Sequence, residues 1–443
     1  MSMTTLSLIG FFLAFCAMAY MCMKSYNLYI ASIVAASIAI LLSGLPLGQT
    51  LMKHYAPGFA SFMSSYFFRY LWGAIFGILM EKCGAAYSVA EGIVRVCGKK
   101  FSLIALPCAV GLMAYSGMAG TVSVFVAIPI FLRVFQECDL PKRFVPGLFY
   151  FGTGTFVNCA PGSAQNLNVI ATRSVGLDPA AGVYIGLVGP VIMFVLGILY
   201  TYWIIGRAKA RGEVFFDDGK GMLSAKNEFK GKKPPLLLAL IPMIVVILLI
   251  NIKPAGKPMV SVESAVFFGC VATPLCMYKY TDFKTLIAQL GDGAEKSIMM
   301  IGAVCAMSGF GKSIMATPAY NTMVDFALHL NISPLTALFI AMSVICLCTA
   351  SATSAVSIIG PTLGKTFVER GLNPVAVARV MGVSATVFES MPQNGVIVLL
   401  INSLCGETYK AAYPYMVGIT VVIPFIATVA TIFFANTWPA LVF

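Results

Sequence analysis

Charge is scarce in this chain. Only 10% of its 443 residues are Asp, Glu, Lys or Arg, while 59% are hydrophobic. A soluble domain carries about 25% charge, so these residues cannot cover a water-facing surface, and the bilayer is the solvent they fit. Histidine is scarcer still. Only His54 and His329 are present, both near the ends of apolar segments, where they read as interfacial residues. Neither belongs to a His-Glu-x-x-His pair, which excludes an intramembrane zinc protease of that type, and no acylation triad can be drawn without a core histidine. The 13 cysteines lack the paired spacings of a zinc site and lie mostly inside apolar runs. They read as small buried hydrophobes, with no disulfide framework and no metal. Gly311-Lys312-Ser313 ends like a phosphate-binding loop, but Ala306 holds the position that needs the first glycine, so nothing points to a nucleotide cofactor.

Long apolar runs are abundant. A spanning helix needs roughly 20 mostly apolar residues, and such runs recur along nearly the whole sequence without the short alternating segments of a β-barrel. The expected fold is an all-α polytopic membrane protein with about 10–12 crossings, counted at roughly 20 residues each. Several runs are too short to cross alone and read as re-entrant hairpins or broken helices. Met1–Ile9 lacks the basic start of a secretory signal, so Phe11–Met23 reads as a retained span. The net charge of +12 is spread over connections between apolar runs, as inside-positive loops require, and does not call for nucleic acid. Residues 207–234 form the longest polar stretch, with eight Lys/Arg against four acids, and read as a basic cytoplasmic loop. The expected organisation is N-terminal scaffold helices over 1–57, a first repeat over 58–206, this loop, and a second repeat with its scaffold helices over 235–443.

The repeat is written in matched pairs. Gly73-Ala74 corresponds to Gly302-Ala303, Val122-Ser123 to Val356-Ser357, Pro129 to Pro361 and Pro141 to Pro374, at an offset of 229–234 positions. Thr155-Phe-Val-Asn158-Cys-Ala-Pro161 aligns with Thr386-Val-Phe-Glu389-Ser-Met-Pro392. Each is followed by a Gln-Asn pair, Gln165-Asn166 and Gln393-Asn394.

Polar backbone at membrane depth is tolerated only where it is buried in protein or lines a cavity. Four stretches rich in Gly, Ser and Pro therefore outline a site. Two read as hairpin tips, with Ser116, Gly117 and Thr121 in one and Ser351, Thr353 and Ser354 in the other. Two read as helix breaks, with Asn158, Ser163, Gln165 and Asn166 in the first and Gln393 and Asn394 in the second. Discontinuous helices present N-terminal N–H groups and about half a positive charge to an anion. Glu389 is the sharpest single residue. A carboxylate costs roughly 2.5–3.5 kcal/mol at the bilayer centre and marks a functional cavity. Burial favours its neutral form, as a proton carrier needs. Lys312 or Arg173 would neutralise it or hold the anion. Arg69 reads as snorkelling to the interface, and Gly73-xxx-Gly77 as a close helix contact.

The second-half string GVSATVFESMPQNGVIVLLINSLCGETYKAAY resembles the gluconate permease family of the ion-transporter superfamily. That family shows an acid, a Leu-Pro-His-Asn-Gly-like turn, an apolar helix and a Gly-Leu-Thr-His/Tyr-Lys-like stretch. GTGTFVNCAPGSAQNLNVIATRSVGLDPAAG resembles its Gly-Thr-Phe-x-His-x-x-Pro-Gly segment, and GFGKSIMATPAY resembles a third stretch. Asn158 and Gln393 stand where the family often has histidine, and Glu389 holds the acid position. The resemblance implies a homodimer in the inner membrane, with inverted-topology repeats and a transport domain that moves past a scaffold in elevator fashion. It implies a small hydroxylated or short-chain carboxylate as substrate, carried with protons. Sodium is the alternative coupling ion, because amide and hydroxyl oxygens suit it. A membrane-embedded enzyme and a passive anion channel are the more remote readings.

Overall fold

The computed structural model describes residues 3–24, 26–115, 120–221, 231–251, 260–328 and 332–438, and every regular element among them is helical. The chain starts with α1 (Met3–Met23) and α2 (Leu28–Leu42), which pack together. Asn27 caps α2 by accepting from the N–H groups of Tyr29 and Ile30 at 3.0 and 3.3 Å. A short α3 (Leu47–Thr50) passes through a π-helical turn into α4 (Ala56–Lys82).

From there two successions of elements follow the same order. The first is α4, then α5 (Ala85–Tyr115), bent at Gly98, then α6 (Gly120–Glu137) and α7 (Val145–Gly154). An irregular stretch over 155–165 leads to α8 (Asn166–Arg173) and α9 (Val183–Ala210). After α10 (Leu236–Asn251) and α11 (Val262–Cys276), the second begins with α12 (Leu286–Met315), α13 (Pro318–Leu328) and α14 (Pro334–Thr349). Next, α15 (Ala352–Ile359) continues through a π turn into α16 (Lys365–Glu369), and α17 (Pro374–Ala385) leads to an irregular stretch over 386–394. Finally α18 (Gly395–Val398) extends as π-helix to Leu404, and α19 (Tyr409–Val417) continues into α20 (Ile423–Thr437). Left-handed turns recur in register as well: Asp139 (φ 50°) matches Gly371 (φ 95°), and Gly176 (φ 78°) matches Gly406 (φ 61°). The repeated motifs thus sit on repeated elements.

Among the described residues, five helices are long and apolar enough to cross a membrane: Met3–Met23, Ala85–Tyr115, Val183–Ala210, Leu286–Met315 and Tyr409–Thr437. The helices that flank the irregular stretches are shorter and buried instead. All ten residues of α7, and α17 from Ala376 onward, are buried, as expected of helices apolar all round. Outer helices turn Leu187, Val191, Val195 and Leu199 of α9 outward, which suits lipid. The Gly73-xxx-Gly77 reading finds its partner in α6, because a Cβ at Gly73 would lie 2.4 Å from the Phe125 ring.

The polar loop holds a surprise. Its acids fold onto the body, and Lys233 at its end pairs with Glu91 of α5. Lys142, 3% exposed, lies 2.8 Å from Asp217 and 3.8 Å from both Asp218 and Glu407. Arg143 pairs with Glu213 at 2.8 Å, and the N–H of Phe215 donates to Asp139 at 2.9 Å. The loop thus clasps a turn of the first repeat to a turn of the second. Lys226, Glu228 and Lys230 lie outside the described residues, as does His329.

Two outcomes follow. Single cysteines at the equivalent positions Glu137 and Arg370 should be labelled by an impermeant maleimide from opposite sides of the membrane if the repeats are inverted; labelling from one side contradicts inversion. Burial pushes the Glu407 carboxyl above its usual range, against the lowering effect of Lys142. Its ionised form is therefore disfavoured by folding, and stability falls as pH rises through its titration. Glu407→Gln should raise the thermal midpoint in detergent at pH 8 and leave it unchanged at pH 4.

Candidate functional site

The two irregular stretches meet at a cavity of about 500 Å³. Asn158, Gln165 and Asn166 line it from the first stretch, and Glu389, Gln393 and Asn394 from the second. Ser351, Thr353 and Ser354 line it from the start of α15, and Lys312 from α12. Not every candidate converges there. Ser163 is fully buried behind the wall, where its carbonyl accepts from Asn168 at 2.8 Å. Arg173, in the last turn of α8, is exposed and off the cavity, because two helical turns carry it away from the break. Ser116 and Gly117 lie outside the described residues, as does the side chain of Thr121.

Three helices begin at this cavity. Their first residues, Asn166 of α8, Ser351 capping α15, and Asn394 with Gly395 of α18, all line it, as does Gly120 of α6. Each start carries N–H groups with no helical partner and the positive end of a helix dipole. Cations come from outside the breaks. Arg69 lines the cavity from α4, pairs with Glu263 of α11 and stacks over Tyr66 at 4.9 Å. This replaces the interfacial snorkelling expected of it, since an acid 194 positions away supplies its partner. Lys312 is exposed to the cavity, and no acid lies within ion-pair distance of it among the described residues.

Glu389 has neither Lys312 nor Arg173 as an ion-pair partner. Its side chain accepts from Asn158 Nδ2 at 3.3 Å, and the Ala352 N–H and the Tyr150 hydroxyl lie beside it. Tyr150 was missed because it sits in VPGLFYFGTG, a stretch apolar enough to read as core. Thr153, Ser308 and Thr349 also line the cavity, and none has a pattern around it that separates it from a helix-packing residue.

The matched Gln-Asn pairs turn out to have a structural task. Gln165 Nε2 donates to Ala114 O at 2.5 Å, and Gln393 Nε2 to Leu347 O at 3.0 Å. Each thereby ties a break to the last turns of the preceding long helix of its own repeat. Asn394 is used at both ends: Oδ1 accepts from Val396 N–H at 2.7 Å, and Nδ2 donates to Ala350 O and Glu389 O at 2.8 and 2.7 Å. Tyrosines serve the matched prolines, Tyr115 donating to Pro161 O at 2.8 Å and Tyr409 to Pro392 O at 2.9 Å.

A buried cation behind the first break also escaped the sequence reading. Arg379, 2% exposed on α17, donates to Asn168 Oδ1 at 2.7 Å, to Pro179 O at 2.9 Å and from Nε to Ala181 O at 2.9 Å. It binds the second repeat's half-helix to the first repeat's break through neutral oxygens. It was hidden because AVARVMGV reads as an apolar helix with one stray charge.

No family model matches the chain. It is similar to an uncharacterized transporter, YxjC, of Bacillus subtilis (strain 168), with 27% identity over 447 residues covering 90% of this chain and 92% of that protein. It is also similar to an uncharacterized transporter of Haemophilus influenzae, with 26% identity over 328 residues and 73% of each chain covered. Among solved structures it resembles the Alcanivorax borkumensis YdaH transporter, at 14% identity and a TM-score of 0.40, covering 89% of this chain and 90% of that one.

Removing the cross-repeat tie should be costly. Hydrogen bonds to a charged group contribute about 1.5–3 kcal/mol, and Arg379→Gln leaves buried carbonyls short of donors. A loss of about 2–4 kcal/mol of stability is expected, read as a lower thermal midpoint in detergent; an unchanged midpoint would contradict the tie.

Proposed function

We propose that the protein is a secondary active transporter that moves a small hydroxylated monocarboxylate, of gluconate or 3-hydroxybutyrate type, together with a proton. The observation that carries this reading is the convergence of three helix starts and one acid, Glu389, on a single cavity. Helix starts bind an anion's oxygens through backbone N–H groups. A carboxyl held by Asn158, with the Ala352 N–H and Tyr150 nearby, can take up and release a proton beside it. Hydroxyls of the substrate would meet Ser351, Thr353 and Ser354, with Lys312 as a mobile cation at the wall. The names of the two relatives support a transporter over an enzyme.

Alternating access is assigned to the hairpin and broken-helix elements moving as one unit past α4 and α12, which pack along each other. A homodimer in the inner membrane is part of the same proposal. Sodium coupling is the second reading, favoured by the amide and hydroxyl groups that line the cavity and by Asn158 and Gln393 standing in place of histidines.

In proteoliposomes, an inward proton gradient should drive accumulation of gluconate or 3-hydroxybutyrate above the outside concentration. Replacing sodium with choline should leave uptake unchanged. Glu389→Gln should bring gradient-driven accumulation down to the level of empty liposomes. Accumulation that persists in Glu389→Gln, or that stops in choline, contradicts proton coupling through this residue.

A further inference from the structure

Glu389 lines the cavity onto which the helix starts open. The Ala352 N–H belongs to the first turn of α15, and Ser351, which caps that helix, lines the cavity beside it. Asn158 Nδ2 donates to the Glu389 carboxylate at 3.3 Å, and with the Tyr150 hydroxyl nearby the seat draws donor groups from three separate elements. Two carboxylates on one such seat repel strongly, because the separation is short and the surroundings screen poorly.

We propose that ionised Glu389 occupies the substrate's own carboxylate seat, so that one proton and one monoanion are taken up as an obligatory, electroneutral pair. This rests on the reading of the protein as a proton-coupled carboxylate transporter and narrows it to a stoichiometry and a substrate charge. With Glu389 ionised, the seat is filled internally and an external carboxylate is excluded. A proton from the open side adds to a carboxylate oxygen of Glu389, which then no longer competes as an anion for the donors, and the monoanion takes its place. On the far side the proton leaves, Glu389 reclaims the donors and the substrate is expelled.

The charges agree with this exchange. Glu389 is the single acid among the described residues lining the cavity. The lining cations are Lys312 and Arg69, the latter already paired with Glu263. A proton and a monoanion sum to zero, so the loaded and empty forms carry equal charge. A dianion would add an uncompensated negative charge to the loaded form. The other titratable groups around Glu389 are the Tyr150 hydroxyl and the Cys159 thiol, with Cys346 and Tyr413 next to Tyr150 and Arg379 beyond Cys159. Thiols and phenols, at about 8.5 and 10 in water, stay neutral below pH 7, and arginine stays charged. One group therefore titrates.

The test uses the full-length protein and gluconate and 3-hydroxybutyrate as probes. In detergent, the wild-type apparent Kd should rise about tenfold per pH unit above the titration of Glu389, whereas Glu389→Gln should bind with a Kd independent of pH. In proteoliposomes, the rate of uptake driven by a pH gradient should be the same at zero and at inside-negative potential, clamped with potassium and valinomycin. Glu389→Gln should retain exchange of labelled for unlabelled substrate. Uptake that responds to potential, wild-type binding that ignores pH, or a pH slope retained in Glu389→Gln overturns the shared seat, while pH-driven uptake still upholds the transporter reading. Absence of pH-driven uptake of both probes overturns that reading as well. The potential experiment needs only wild-type protein, so a poorly folding variant does not remove the test.

Discussion

In hydrocarbon, a backbone N–H or C=O without a partner costs several kcal/mol, and every unusual feature of this protein lies where a helix stops short of crossing. Each stop needs replacement partners, and the chain supplies them twice by the same means. Gln165 and Gln393 reach carbonyls near the ends of α5 and α14. Tyr115 and Tyr409 reach the carbonyls of Pro161 and Pro392. The interrupted helices are held so firmly from behind that their free starts can face a common cavity, where water or a ligand completes the remaining donors.

The two halves are equivalent in fold and unequal in chemistry. Asn158 and Glu389 occupy matching positions in the two breaks and hydrogen-bond each other at 3.3 Å. The first repeat thus supplies an amide where the second supplies an acid. Arg379 adds a second link between the halves, from α17 to Asn168 and the turn at Pro179 and Ala181. A site built this way divides across two repeats yet is positioned as one body. The cations stand apart, on α4 and α12, where Arg69 and Lys312 face the cavity from long flanking helices.

Much of this was legible because polarity is conspicuous against an apolar background. Composition alone gave the membrane, and the paired interruptions gave the repeat and most of the cavity wall. Long-range geometry was hidden. Nothing near Arg69 announces that Glu263 on α11 will meet it. Arg173 falls close to the break in sequence, but two helical turns carry it out of the site. Tyr150 and Arg379 lie in segments whose hydrophobicity masks a single polar atom. Gln393 and Asn394 read from the sequence as substrate ligands; both line the cavity, while their amide N–H groups also donate to Leu347, Ala350 and Glu389. In the loop, net positive charge drew attention to lysines, while the acids Glu213 and Asp217 found partners in Arg143 and the buried Lys142.

The central claim is that helix starts converge to hold a carboxylate. The most direct measurement compares thermal stabilisation of the purified protein by gluconate with that by gluconamide, which keeps the hydroxyls and removes the charge. A ligand that binds only the folded state raises its stability in proportion to occupancy. The account predicts a concentration-dependent shift with gluconate and none with gluconamide. Equal shifts with both would contradict it.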